Sequence, residues 1–222
     1  MNVSEAVETR RSVRAYLDRP VDLVLLRDLV ERAGRAPSGG NLQPWHIHVL
    51  AGDAMTRFKA IMRRRMEEAV MGDGSEYDVY PPGLAEPYRS RRFAVGEALY
   101  APLGIPREDK AARLHWFAKN WQFFDAPVGV FCYVERSHGP PQWSDCGMYL
   151  QTLMLLLREA GLDSCAQEAW AVHHRTVDQF VGAAPDKMLF TGMAIGWRDP
   201  EAPVNRFAVP RAPIDEWATF HY

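Results

Sequence analysis

Cysteine is scarce, with three residues in 222: Cys132, Cys146 and Cys165. Their odd number and apolar neighbours argue against a disulfide framework and fit a reducing, cytoplasmic compartment. Excess charge of one sign is also lacking. Lys and Arg total 26 against 28 Asp and Glu, for a formal net charge of −2. A chain without a basic surplus has no electrostatic footprint for nucleic acid. No run of about 18 apolar residues occurs, so no membrane span is expected. The opening residues, Met1-Asn2-Val3-Ser4-Glu5, lack the basic and apolar regions of a secretion signal. Nothing repeats, and no segment is low in complexity. There is no P-loop, no G-x-S-x-G elbow and no strand–G-x-G-x-x-G–helix unit. His173 and His174 are adjacent and leave a helix on different sides. His46 and His48 share a strand face without an acidic or thiol neighbour, so no metal site is expected.

What is present is a chain with 47% apolar residues, enough for one domain over 1–222 with a sizeable core. Its organising stretch runs from Ala36 to Trp45, Ala-Pro-Ser-Gly-Gly-Asn-Leu-Gln-Pro-Trp. Gly39 and Gly40 let the backbone approach a ligand closely, and Pro37 and Pro44 stiffen the ends. Ser38, Asn41 and Gln43 offer a hydroxyl and two amides that both donate and accept, which suits the edge of a flat polar heterocycle. Upstream, Arg10-Arg11-Ser12-Val13-Arg14 closes a short helix that Ser4 is placed to cap. Three arginines and a serine in five residues can grip a phosphate through charge-assisted hydrogen bonds.

Periodicity predicts a helix over 22–34, capped by Asp22, with Leu23, Leu26, Val30 and Ala33 inward. A strand is expected at 46–50. A helix over 53–71 buries Met55, Phe58 and Met62 and leaves Arg63-Arg64-Arg65 mostly solvated. From 72 to about 92 the pattern collapses into glycine, proline and tyrosine, a composition that suits a lid or binding element. Helices are expected over 93–103 and 107–124. A strand at 128–134 is apolar without interruption, which implies cover on both faces. A helix over 144–160 is apolar on nearly all sides, as a central or partner-facing helix would be. A strand at 164–167, a helix at 173–181 and a strand at 187–195 follow. The arm from about 199 to 222 ends in Trp217, Phe220 and Tyr222, and is too aromatic to be disordered. The class expected is α+β, a small mixed central sheet wrapped by helices.

The two motifs, about 25 residues apart with a helix between, resemble the flavin-binding segments of the nitroreductase family, and the resemblance continues to the C-terminus. It implies an intertwined homodimer that holds FMN between its subunits and takes hydride from NADH or NADPH. It also implies a lid or insertion at about 72–124. In this resemblance Arg10 meets the FMN phosphate, Arg11 and Ser12 lie at the cofactor, and Arg14 lies near the pyrimidine edge. Pro37, Ser38 and Gly39 come from the other subunit, followed by Asn41 and Gln43. Cys165, Ala166, Gln167 and Glu168 match the turn whose backbone faces flavin N5. Arg211 matches a C-terminal arginine on the phosphate, with Arg206 a second candidate. Ala166 and Ala169 replace the proline and glycine of many relatives, which alters backbone freedom beside N5.

The stretch 120–127, with the Tyr/Pro-rich segment before it, resembles the branch of nitrobenzoate and related nitroarene reductases. Tyr88, Asn120 and Phe124 are its candidate acceptor contacts. No protein acid or base is expected to be catalytic. Arg14 and the Glu168 backbone serve the flavin, and a nicotinamide donor lacking its own module shares that pocket in a ping-pong sequence. Quinones, enones and reductive dehalogenation are alternative chemistries. A protein that stores or senses FMN is the alternative outside enzymes.

Overall fold

A computed structural model describes residues 1–222. Helix α1, Val3–Thr9, is followed by α2, Leu23–Ala33, strand β1, His46–Ala51, and α3, Gly52–Ala69. Helices α4, Tyr88–Tyr100, and α5, Lys110–Phe117, lead to β2, Val128–Glu135, and α6, Pro140–Glu159. Strand β3, Asp163–Gln167, helix α7, His174–Val181, and strand β4, Lys187–Gly196, complete the set. No helix is long and apolar enough to cross a membrane.

The four strands stand in the order β1-β2-β4-β3, and all three ladders are antiparallel. The expected mixed sheet is therefore corrected within this chain to an antiparallel one. The only parallel pairing is an isolated bridge between Ser12 and Ser164. The apolar run in β2 reflects cover on both faces rather than strand direction. Val128, Val130, Cys132 and Val134 face one core with α2 and α6. Phe131 and Tyr133 face a second core with α3, Trp121 and Trp170. Alternation along one strand thus serves two hydrophobic layers.

Asp22 accepts from the Val24 N–H at 2.8 Å and caps α2 as expected. Leu29 takes the inward place assigned to Leu23, which is exposed. Helix α1 is capped by Asn2, not Ser4, through a reciprocal pair with Glu5, each bond 2.9 Å. It ends at Thr9, one residue before the arginine motif. Helix α6 begins four residues earlier than the spacing implied, with Pro140 and Pro141 in its first turn, where a missing N–H costs nothing.

The largest correction concerns 107–124. After α5 the chain makes a tight 3-10 stretch over Ala118–Asp125, in which Phe123, Phe124 and Asp125 have φ of 53°, 52° and 66°. Both phenylalanines are buried there, which holds a backbone conformation that side chains disfavour.

His173 is fully buried, edge-on to Trp121 with ring centroids 4.6 Å apart, and its Nε2 lies 3.2 Å from the Val70 carbonyl. Burial pulls its pKa below the ordinary 6.5. The unfolded chain therefore takes up a proton that the folded one resists. This contribution is intact above pH 6.5 and is lost as the pH falls through the depressed folded value. Thermal melts recorded across this range are expected to show a falling midpoint below pH 6.5, and His173→Gln is expected to flatten the fall.

Candidate functional site

As the chain leaves α1 it turns extended at Arg10 and runs beside the end of the sheet. Val13 is buried, and its N–H donates to the Ser164 carbonyl at 3.1 Å. The Arg14 N–H donates to Asn205 Oδ1 at 2.9 Å, while Asn205 Nδ2 donates to the carbonyls of Ala15 at 2.8 Å and Asp199 at 2.9 Å. The motif is thus clamped between β3 and the turn at 203–205. Its polar side chains project from a fixed backbone.

They project into one cavity of about 630 Å³. Arg10, Arg11, Ser12, Arg14 and Arg211 all line it, although Arg211 is about 200 positions away in sequence. Four guanidinium groups and a hydroxyl face a single Glu8, so the cavity favours an anion with several acceptor oxygens. Arg211 donates to the carbonyls of Val209 at 3.0 Å and Pro210 at 3.4 Å, bonds that a stronger acceptor can displace. Arg206 is absent from this lining. It pairs with Glu201 at 2.8 Å.

Arg211, Val95 and Val209 also line a second, more apolar cavity of about 930 Å³ between α4 and the C-terminal arm. Tyr80, Arg92 and Trp217 border it. The two spaces share Arg211, Val95 and Val209, so a cationic cavity adjoins a more apolar one. The Arg92 guanidinium lies 3.9 Å from the centroid of the Tyr80 ring. Partial burial pushes the Glu168 carboxyl up, opposed by the Tyr80 hydroxyl and by Arg92. The segment 72–87 therefore reaches the end of β3.

Within β3 the side chains alternate. Ala166 is exposed, whereas Cys165 and Gln167 are buried. The Cys165 thiol lies 3.6 Å from the Ala166 carbonyl, and burial raises its pKa against the pull of Arg14 and Ser12. Gln167 Nε2 donates to the carbonyl of Asn120 at 2.8 Å and to its Oδ1 at 3.3 Å, while Gln167 Oε1 accepts from Trp170 Nε1 at 3.3 Å. The side chains of Cys165, Gln167 and Asn120 are thus engaged inside the protein. Phe124, expected at a pocket, is 2% exposed and packs on Trp116 at 5.7 Å. It is corrected to a core residue. Tyr88, at the start of α4, is exposed.

The Pro37–Gly39 loop does not line the arginine cavity. The Gly39 N–H donates to Asp145 Oδ2 on α6 at 3.2 Å, and Ser38 Oγ accepts from the Gln43 N–H at 3.0 Å. Asn41 and Gln43 take φ of 56° and 50°, and both stay exposed. Asn205 and Arg92 are the structural residues that sequence reasoning missed. Asn205 acts through contacts about 190 positions apart, and no local motif marks it.

Residues 7–197 match the family model described as the nitroreductase family. The chain is 32% identical over 218 residues to the nitrobenzene nitroreductase of Ectopseudomonas oleovorans, covering 98% of this chain and 96% of that one. It superposes with a TM-score of 0.96 on the FMN and NADPH-dependent nitroreductase NfnB of Sphigopyxis sp. strain HMH, at 51% identity over 100% of both chains. The FMN-dependent NfnB of Mycobacterium smegmatis, solved in complex with NADPH, gives a TM-score of 0.90 at 32% identity over 99% of this chain and 97% of that one.

Proposed function

The chain belongs to the nitroreductase family, and from that premise we propose that it is an FMN-dependent oxidoreductase that passes hydride from NAD(P)H to nitroaromatic acceptors. The observation that carries this reading is the cleft shared by Arg10, Arg14 and Arg211, cationic at one end and apolar at the other. Bound FMN would supply the redox chemistry, accepting and returning hydride. Arg10, Arg11 and Arg211 hold its phosphate, and Ser12 adds a hydroxyl. Arg14, whose backbone N–H is held by Asn205, would set a cation where negative charge develops on reduction. The backbone at Ala166 and Glu168, both exposed residues, would meet a ring edge that can accept or donate. Tyr80, Tyr88 and Trp217 offer aromatic surface to an acceptor, and the segment 72–87 with α4 acts as the lid.

The working unit in this proposal is a homodimer in the cytoplasm. Val3, Val7, Leu42, Met148, Trp217 and Phe220 are large apolar side chains left in solvent by one chain, and a second copy would cover them. The Pro37–Gly39 loop, remote from its own arginine cavity, would complete the neighbour's cleft. Three free, buried thiols accord with a reducing compartment.

One cleft must then serve donor and acceptor in turn, because both need near-contact with the same reacting atom. Parallel double-reciprocal lines are expected, with excess acceptor competing against NAD(P)H. Stopped-flow measurement of Arg14→Ala is expected to show donor-driven flavin reduction slowed by about ten- to a hundredfold, the loss of one charge-assisted contact. Intersecting lines, or an unchanged reduction rate, would remove the shared cleft or the role of Arg14. Absence of steady NAD(P)H consumption with every nitroaromatic acceptor would leave a flavin-storing protein.

A further inference from the structure

Away from the arginine cleft, three side chains turn donor atoms toward one another. Glu76 comes from the segment 72–87, and His174 and Asp178 lie one turn apart on α7. His174 Nδ1 is 3.4 Å from Glu76 Oε2 and 3.5 Å from Asp178 Oδ2. All three donor atoms lie within 4.8 Å of one another. Yet Nδ1 is a buried atom with no hydrogen-bond partner.

An imidazolium clasped by the two carboxylates does not explain this arrangement. Nδ1 carries at most one proton, and a proton shared between the two oxygens makes no short charge-assisted bond to either. Such a bond would close to about 2.7–2.9 Å. The observed spacings instead match the edge of a coordination tetrahedron. Metal–ligand bonds of about 2.1 Å set neighbouring ligand atoms roughly 3.4 Å apart.

The outer oxygens are already committed. Asp178 Oδ1 accepts from the Tyr133 hydroxyl at 2.8 Å, and Glu76 Oε1 accepts from Arg136 Nη1. Both carboxylates are thereby oriented with Oδ2 and Oε2 inward, as the outer partners of metal-binding carboxylates orient them. The side chains of His174, Glu76 and Asp178 are 12%, 19% and 25% exposed, so an ion can arrive from solvent. An imidazole with two carboxylates suits zinc rather than the all-oxygen preference of magnesium or calcium.

We propose that Glu76, His174 and Asp178 form a site for a divalent cation of the zinc type, with one position left to water. The ion fastens the start of the segment 72–87 to α7. Tyr77 beside Glu76 donates to the Phe190 carbonyl, so this end of the segment is then tied to both α7 and β4.

The test uses the FMN-loaded protein, stripped with a chelator and dialysed, then titrated with Zn²⁺ against a chromophoric chelator. One equivalent is expected to bind the wild type. Glu76→Gln and His174→Gln are each expected to weaken it at least about tenfold, and Tyr133→Phe, which touches only the outer shell, by about 10- to 100-fold. Co²⁺ is expected to give tetrahedral visible bands beyond the flavin absorption in the wild type and not in Glu76→Gln. Glu76→Gln is nearly isosteric at an accessible position, and retained FMN content reports that it folds. Zinc binding that is undetectable in the wild type, or equal in the wild type and Glu76→Gln, would overturn the site.

Discussion

Replacing Arg10 and Arg211 together by alanine is expected to weaken FMN binding by about 10²- to 10⁴-fold while leaving riboflavin nearly unaffected. Each guanidinium supplies a charge-assisted contact of about 1.5–3 kcal/mol, and two such losses add to roughly 3–6 kcal/mol if they act independently. FMN and riboflavin differ only in the phosphate, so their difference isolates the cationic end of the cleft. Flavin fluorescence titration of the apoprotein measures both. The contrast should shrink as salt is raised, because Arg211 is exposed and its interaction is screened. Equal losses for the two flavins would mean that the arginines shape the cleft without reading the phosphate.

Trp170→Ala is expected to produce the largest loss of stability. The indole is fully buried, with ring centroids 4.6 Å from Phe123, 5.1 Å from Phe131 and 5.5 Å from Phe58. A Cβ on Gly192 would overlap it, so strand β4 is shaped around the ring. Truncating a tryptophan in such a site costs about 3–5 kcal/mol. For a chain of this length that is a fall of roughly 6–20 °C in Tm. The cost includes Gln167 Oε1, which loses its donor and stays buried. Trp170→Phe keeps part of the volume and should fall between the two. A calorimetric shift below about 3 °C for the alanine variant would show that the neighbouring rings collapse into the gap.

The sheet and the main helices were legible because their signals are local. Asp22 and Gly34 bracket α2, and an apolar run marks β2. The direction of those strands was not legible, since cover by helices on both faces leaves the same composition in either case. The stretch 118–125 was misread because its apolar spacing continues that of α5. Nothing local shows that Phe123 and Phe124 leave the right-handed region, so the sequence suggests a pocket position for Phe124, which the structure buries in a core. The arginines were legible as a cluster, and the structure brings Arg211 to them. Asn120 reads as an acceptor contact, yet its Nδ2 donates to the Phe117 carbonyl at 2.8 Å and its Oδ1 accepts from Gln167 at 3.3 Å.

The turn at Phe123, Phe124 and Asp125 has a consequence for chirality. Three successive L-residues hold the mirror-image conformation, each at a cost of roughly 1–2 kcal/mol. At Phe123 and Phe124 the buried rings offset that cost. Asp125 is exposed and has no ring to do so. Glycine, which is achiral, would sit there without the penalty, as would a D-amino acid introduced by chemical synthesis. The handedness of the backbone thus marks Asp125 as a position where the mirror form of a residue fits better than the natural one.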